Sequence, residues 1–277
     1  MSRLLIFGLG YSAGRLAHAL RVQGWDVVST GRAGTIDFDD AASVRVALAD
    51  ATHILSSVPP SVDGDPVLTT YGEAITRSPA TWLGYLSSTG VYGDAQGAWV
   101  DESAPIHGRR AARNDADRAW LAAGARVFRL PGIYGPGRSA LERVAEGKAH
   151  RIDLPNQIFS RIHVDDIVSG VIAGFDGPAG AYNLADDYPC SQNLVIEAAC
   201  DLRGLPYPPL QSLSEANLSP MALDFYAENR RVSNVKAKRL LCWRPAYPTY
   251  QAGLRALSAT TKPASANTQP ATASKDQ

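Results

Sequence analysis

An α/β fold, built on a doubly wound parallel sheet with a small C-terminal lobe, is predicted by three observations on the 277-residue chain. A short apolar strand runs into a glycine-rich turn and a helix at the N-terminus; strand and helix patterns then alternate to residue 130; beyond it Pro131, Pro136 and Pro155 break the rhythm.

Taken in order, residues 4–7 form an apolar run bounded by glycine, the pattern of a strand buried on both faces. Residues 12–23 place Leu16 and Leu20 at helical spacing, and Gly24 is the stop. Strands follow at 26–30, 53–58, 82–87 and 126–130, with helices at 41–48 and 109–123, the latter closed by Gly124. Such βα units specify right-handed crossovers and a parallel sheet. In the second half, 165–175 reads as a helix with Asp165 as its cap, 182–184 as a strand, and Ser191 as the cap of a helix that ends before Gly204. The expected organisation is a nucleotide-binding core over 1–130, late sheet elements with a substrate-binding lobe over 131–257, and a disordered tail over 258–277, where large apolar residues are almost absent.

Gly8, Gly10 and Ala13, with Gly14 beside it, stand at the first strand-to-helix turn, the place of a Rossmann dinucleotide loop. Gly8 permits the tight turn, Gly10 lets backbone approach a pyrophosphate, and Ala13 or Gly14 lets the helix pack close to the sheet. The amides of Tyr11 and Ser12 open the helix, where unpaired N–H groups and the dipole suit a diphosphate. Glycine turns also join strands to helices in proteins that bind nothing, so the position of the match carries the reading.

About 20 residues further on, an NAD-specific site places an acidic side chain against the ribose 2′-hydroxyl. Here the segment is Ser29-Thr30-Gly31-Arg32. Arg32 can fork onto a 2′-phosphate and Ser29 and Thr30 can donate to it, so NADP is expected over NAD. An arginine solvated at a strand end is the alternative.

The chain carries 27 Lys plus Arg and 27 Asp plus Glu, a balance that supplies no global field for nucleic acid or an anionic membrane. Its 3 cysteines, Cys190, Cys200 and Cys242, form no CxxC pair, which argues against a disulfide framework or a zinc site; no metal is expected. The apolar start is too short for a signal peptide and no run reaches membrane-spanning length, so a cytoplasmic setting is expected.

The run from Ser87 to Gly93 (SSTGVYG), then Asp101-Glu102, Pro105, the run from Arg129 to Arg138 (RLPGIYGPGR), Ile162-His163-Val164-Asp165-Asp166 and Tyr182-Asn183-Leu184 follow the glycine loop in order. Together they resemble the extended short-chain dehydrogenases of the NAD(P)-dependent epimerase/dehydratase family, over residues 4–257, and lie closest to its atypical members. The resemblance implies that Ser88 orients the substrate's reacting oxygen. It implies that Val58 and Pro59 flank the cofactor, that Pro131 and Ile133 pass the nicotinamide, and that Tyr134 and Arg138 project toward the substrate lobe.

The family's YxxxK pair falls on Arg109 and Arg113. Arg113 takes the lysine's place and would hold the nicotinamide ribose, but arginine keeps its proton, so Arg109 cannot replace the tyrosine as acid or base. Among other proton carriers the sequence offers His107, Tyr92, Tyr134 and His163; Tyr134 joins Ser88 and Arg113 as a candidate catalytic residue. The implied function is an NADP-dependent oxidoreductase or epimerase-like enzyme acting on a small polar metabolite, with a homodimer as an expected assembly. A cofactor-binding sensor without turnover is the second reading, and a methyltransferase, which has no use for these later motifs, the third.

Overall fold

The computed structural model describes residues 2–260. Its first half is β1 (Arg3–Phe7), α1 (Tyr11–Val22), β2 (Asp26–Ser29), α2 (Ala41–Asp50), β3 (His53–Ser56), α3 (Pro66–Arg77), β4 (Trp82–Ser88), a two-residue β5 (Trp99–Val100), α4 (Ala111–Ala122) and β6 (Arg126–Leu130). The second half runs β7 (Gly132–Tyr134), α5 (Ala140–Ala145), β8 (Arg151–Ile152), β9 (Arg161–His163), α6 (Val164–Ala173), β10 (Gly180–Asn183) and α7 (Gln192–Arg203). Then come β11 (Leu210–Gln211), α8 (Pro220–Tyr226), β12 (Arg231–Val232), α9 (Val235–Leu240) and α10 (Tyr250–Thr260).

The central sheet has six strands in the order β10-β6-β4-β3-β1-β2, every neighbouring pair parallel. Both faces are covered, as an all-parallel sheet requires. Leu16 and Leu20 of α1, Ile167 and Val171 of α6 and Ala237 of α9 pack on one face. Val44 and Leu48 of α2, Val67, Tyr71 and Ile75 of α3, and Ala116 and Trp120 of α4 pack on the other. Because the chain leaves β1 for β2 and returns across it to β3, the direction of winding reverses between β1 and β3. Ligands of open α/β sheets bind at the carboxyl ends of strands beside such a reversal, which is where the glycine loop lies.

A separate apolar cluster, built from α5, α7 and α10 around Leu141, Ile196, Cys200 and Leu254, forms the C-terminal lobe. Ser191 caps α7 by accepting from Leu194 N, and Gly204 ends it in the left-handed conformation at φ 63°.

Several boundaries differ from the sequence expectation for identifiable reasons. The strand expected over 53–58 ends at Ser56, before Pro59 and Pro60, which cannot donate to a ladder. The helix expected over 109–123 starts at Ala111, leaving Arg109 and Arg110 in the preceding turn. The segment expected to be disordered from 258 begins inside α10, which buries Leu257 and runs to Thr260; the remainder of that segment lies outside the described residues. The cap of α6 is His163, whose Nδ1 accepts from Asp165 N, while Asp165 pairs with Arg15 of α1 at 2.5 Å. Helix α3 is not among the elements expected above, although Asp65 caps it twice, Pro66 stands at its first turn and Val67, Tyr71 and Ile75 share a face. Among the described residues no helix is long and apolar enough to cross a membrane.

Candidate functional site

The glycine loop is held from behind and open in front. Gly8 N donates to Thr30 Oγ1 at 3.1 Å and Leu9 N to Thr30 O at 3.1 Å, while Ser57 Oγ donates to Gly8 O at 2.5 Å. Gly8 turns at φ 82°, and a Cβ there would come within 2.9 Å of Val58 Cγ2, so strain and crowding both demand glycine. Gly10 contrasts with it: φ is −84°, and no atom lies within 4 Å of a Cβ placed there. The space in front of Gly10 is therefore open. No side chain caps α1, and the amides of Tyr11, Ser12 and Ala13 occupy the first turn, where a helix has no internal acceptor to offer. An anionic group of diphosphate size fits this cradle by charge and by donor direction.

Ala13 is 1% exposed and packs in the main core, whereas a Cβ on Gly14 would meet nothing within 4 Å. The small residue needed for close helix–sheet packing is thus Ala13 and not Gly14. The Tyr11 hydroxyl donates to Pro136 O at 3.0 Å, and Arg138 lies over its ring at 5.8 Å. Arg138 consequently turns back toward the glycine loop and not toward the C-terminal lobe.

Beyond β2, the turn carrying exposed Arg32 is closed by Ser29 and Thr35, with Thr35 N donating to Ser29 O at 2.7 Å. Ser29 and Thr30 are 0% and 1% exposed. This corrects the expected donation by both residues to a 2′-phosphate, because their hydroxyls face the interior and Thr30 serves as the strut of the glycine loop. Arg32 remains the one cationic group of that segment in solvent. Val58 is half-buried against Gly8 and Pro59 is exposed beside it, so the loop after β3 forms the second wall of the cradle.

Along the carboxyl ends of the sheet from the cradle lies a cavity of about 280 Å³. Ser88 at the end of β4, Arg113 in the first turn of α4 and Pro131 after β6 all line it. Ser88 Oγ accepts from Gly90 N at 3.1 Å, which caps the short 3-10 turn Thr89–Tyr92 and leaves its hydroxyl proton free to donate. The guanidinium of Arg113 makes no hydrogen bond or ion pair with the described residues, while its backbone amide donates to Arg110 O at 3.0 Å. Ile133 is half-buried and packs against the main core, one residue beyond the cavity lining.

Tyr134 does not belong to this site. It is 9% exposed, packs with Leu141, Ile196 and Leu254 in the lobe, lies edge-on to His163 and touches the backbone of Gly253. Burial raises its pKa far above the ordinary tyrosine value, so the expectation of a catalytic Tyr134 is corrected: it cannot reach a ligand in the cavity or exchange a proton there. The other proton carriers fare alike. Tyr92 is buried, with its hydroxyl donating to Asn183 Oδ1 and accepting from Arg129, and burial pushes its pKa up to about 12. His163 is buried at the head of α6, and His107 is exposed outside the cavity lining.

A buried polar chain fixes the strand ends that carry Ser88 and Pro131. Ser87 Oγ and both Arg129 contacts converge on Asp117 of α4, at 2.6, 3.1 and 2.7 Å. Arg129 continues to Tyr92, Tyr92 to Asn183, and Asn183 N donates to Glu102 at 2.7 Å. A fully paired network of this kind makes α4, β4, β6 and β10 one rigid floor.

Sequence reasoning missed most of the cavity's polar wall. Arg109 donates to Glu228 at 3.0 Å and to Asp224 at 3.4 Å, Arg110 to Asp224 at 3.3 Å, and Arg230 to Glu228 at 2.6 Å. Phe159 and Phe225 stack at 4.8 Å as an aromatic wall. No local signal marks these residues, since more than 100 positions separate Arg109 from the segment that pairs with it.

The fold is a doubly wound sheet of the Rossmann type, shared with solved NAD(P)-binding proteins of the epimerase/dehydratase type. Within that class the chain belongs to one family with a functionally unknown conserved protein from Silicibacter pomeroyi DSS, to which it is 40% identical with a TM-score of 0.84, covering 94% of this chain and 99% of that one. Protein YeeZ of Escherichia coli (strain K12) is 26% identical over 249 residues, 75% of this chain and 86% of its own. Human epimerase family protein SDR39U1, solved with NADPH, shares the fold at a TM-score of 0.75 and 15% identity, covering 94% of this chain and 100% of that one. UDP-glucuronic acid 4-epimerase from Bacillus cereus, solved with NAD, shares it at 0.72 and 15% identity, covering 93% and 97%. No family model matches the chain.

Proposed function

We propose that the protein binds a nicotinamide dinucleotide, NADP in preference to NAD, and is an oxidoreductase or epimerase-like enzyme acting at a hydroxyl or carbonyl carbon of a small polar molecule. The observation that carries this reading is that the open amides at Gly10–Ala13 and the cavity that holds Ser88 and Arg113 both lie at the carboxyl ends of one parallel sheet. Relatives of the fold solved with NAD and with NADPH support the coenzyme class.

The first-turn amides of α1 would hold the diphosphate, Arg32 the 2′-phosphate, Val58 and Pro59 the face of the adenosine half, and Arg113 the nicotinamide ribose. When bound, the coenzyme supplies hydride transfer. Ser88 donates its free hydroxyl proton to the reacting oxygen and orients it, and Pro131 with Leu130 closes the side of the cavity against water. Arg109 cannot exchange a proton, and among the described residues the cavity is lined by no tyrosine, histidine or cysteine; the proton-accepting side chains that line it are the carboxylates of Asp224 and Glu228.

That same absence supports a second reading, a coenzyme-responsive sensor without turnover. Titration with NADPH and NADH by nicotinamide fluorescence, followed by a screen of carbonyl and hydroxyl compounds for absorbance change, separates the two. Turnover that Ser88→Ala lowers at least tenfold with NADPH affinity unchanged is the expected result. Tight NADPH binding with no turnover across the screen assigns the sensor; no binding of either coenzyme removes both.

A further inference from the structure

The cavity over Ser88 carries four guanidinium groups, Arg109, Arg110, Arg113 and Arg230, against the two carboxylates of Asp224 and Glu228. The two carboxylates are held differently. Glu228 is 12% exposed and is gripped at 3.0 Å by Arg109 and 2.6 Å by Arg230, and these guanidiniums hold its pKa below the usual range despite its burial. Asp224 is 49% exposed, shared between two arginines, and long to both, at 3.4 Å to Arg109 and 3.3 Å to Arg110. Charge-assisted bonds of full strength are about 2.7–2.9 Å, so Asp224 is the weakly held member of an otherwise strong cluster.

Asp224 rides on α8, a seven-residue helix whose Phe225 stacks on Phe159 to close the cavity's aromatic side. Arg109 also donates to the backbone carbonyl of Asp224 at 2.9 Å, so α8 stays tethered when the side chain leaves. At about 280 Å³ the space lies just below the roughly 300–1,000 Å³ of drug-sized ligand pockets and suits a compact ligand.

We propose that the ligand of this cavity is a small carboxylate or phosphate ester, and that Asp224 holds the place of its anionic group on Arg109 and Arg110 until it binds. The proposal rests on the reading of the cavity as the substrate pocket and adds the substrate class. Displacement of Asp224 lets the incoming anion take bidentate contacts that the aspartate, anchored on its helix, does not reach. It also places the anion at the far side of the cavity from the cradle, with the ligand's apolar body against Phe159 and Phe225 and its reacting oxygen toward Ser88.

Removing an internal competitor makes a ligand bind tighter, whereas removing a binding residue makes it bind more weakly, and this opposition of sign is the test. The full chain, with and without saturating NADPH, is titrated calorimetrically with benzoate, with inorganic phosphate, and with benzamide as the uncharged counterpart of benzoate. The expected result is that one of the anions binds at least tenfold tighter than benzamide, that Asp224→Asn tightens it three- to tenfold, and that Arg110→Gln weakens it at least tenfold. Arg110 is 69% exposed, so its replacement leaves the core untouched. Equal binding of benzoate and benzamide with no phosphate binding, no binding of any probe, or an Asp224→Asn variant that binds the anion no more tightly, overturns the proposal. A failure of NADPH to bind counts against the coenzyme reading alone, because the anion titration of the free protein still decides the substrate class.

Discussion

Replacing Gly10 with alanine separates a ligand-binding glycine from a structural one. At φ −84° and ψ −169° any L-residue is comfortable, and no protein atom lies within 4 Å of the added methyl, so the fold has no reason to resist. The cost to stability is that of a weaker helix cap, under about 1 kcal/mol. The cost to binding is larger. A methyl in the open space above the first turn of α1 pushes a diphosphate off at least one amide, and one charged hydrogen bond is worth about 1.5–3 kcal/mol, roughly ten- to hundredfold in Kd. Gly8→Ala is the internal control: its φ of 82° and its 2.9 Å approach to Val58 predict a loss of stability of about 1–3 kcal/mol together with any loss of binding. The assay pairs urea unfolding with nicotinamide fluorescence titration on each variant. A Gly10→Ala protein of near wild-type stability that binds NADPH and NADH as well as the parent would refute the cradle reasoning.

Asp117 is the fully buried anchor of Arg129 and Ser87, so Asp117→Asn leaves a guanidinium unpaired in the interior and should cost about 3–5 kcal/mol in urea unfolding, against under 1 kcal/mol for exposed Asp115→Asn. Asp186 is buried with Oδ2 unpaired, and burial raises its pKa from 3.8 to about 7. A raised carboxylate binds its proton more tightly in the folded state, so its contribution to stability is present at low pH and is lost as pH rises from about 4 to about 7; Asp186→Asn should flatten that decline in a pH series of denaturation midpoints. Tyr134→Phe deletes a buried hydroxyl that has no partner, so stability should hold or rise by up to about 1 kcal/mol with NADPH affinity unchanged, whereas a tenfold loss of turnover would return Tyr134 to the active site. Arg32→Ala should weaken NADPH by about 1–3 kcal/mol and leave NADH unchanged; equal losses would remove the 2′-phosphate role.

The sheet was legible because its strands are short and rich in apolar residues and because its first turn carries glycine where only glycine fits, at Gly8. Leu4–Phe7, Arg126–Leu130 and the caps at Ser191 and Gly204 follow from local chemistry and stand where that chemistry places them. Direction of side chains was less legible. Ser29 and Thr30 precede Arg32 in sequence, yet a sheet covered on both faces and the loop's need for a strut bury their hydroxyls. Tyr134 is only three residues beyond Pro131, but β7 pairs with β9 and carries it into the lobe. The arginine-rich wall was not legible at all, because Arg109 and Arg110 meet Asp224 and Glu228 only when the lobe folds back over the sheet.

The most direct measurement is a crystal structure of the protein grown with excess NADPH. The diphosphate is expected against the amides of Tyr11, Ser12 and Ala13, the 2′-phosphate beside Arg32, and the nicotinamide between Ser88 and Pro131. Coenzyme density at another place on the molecule, or a fully occupied crystal in which the diphosphate avoids α1, contradicts the account.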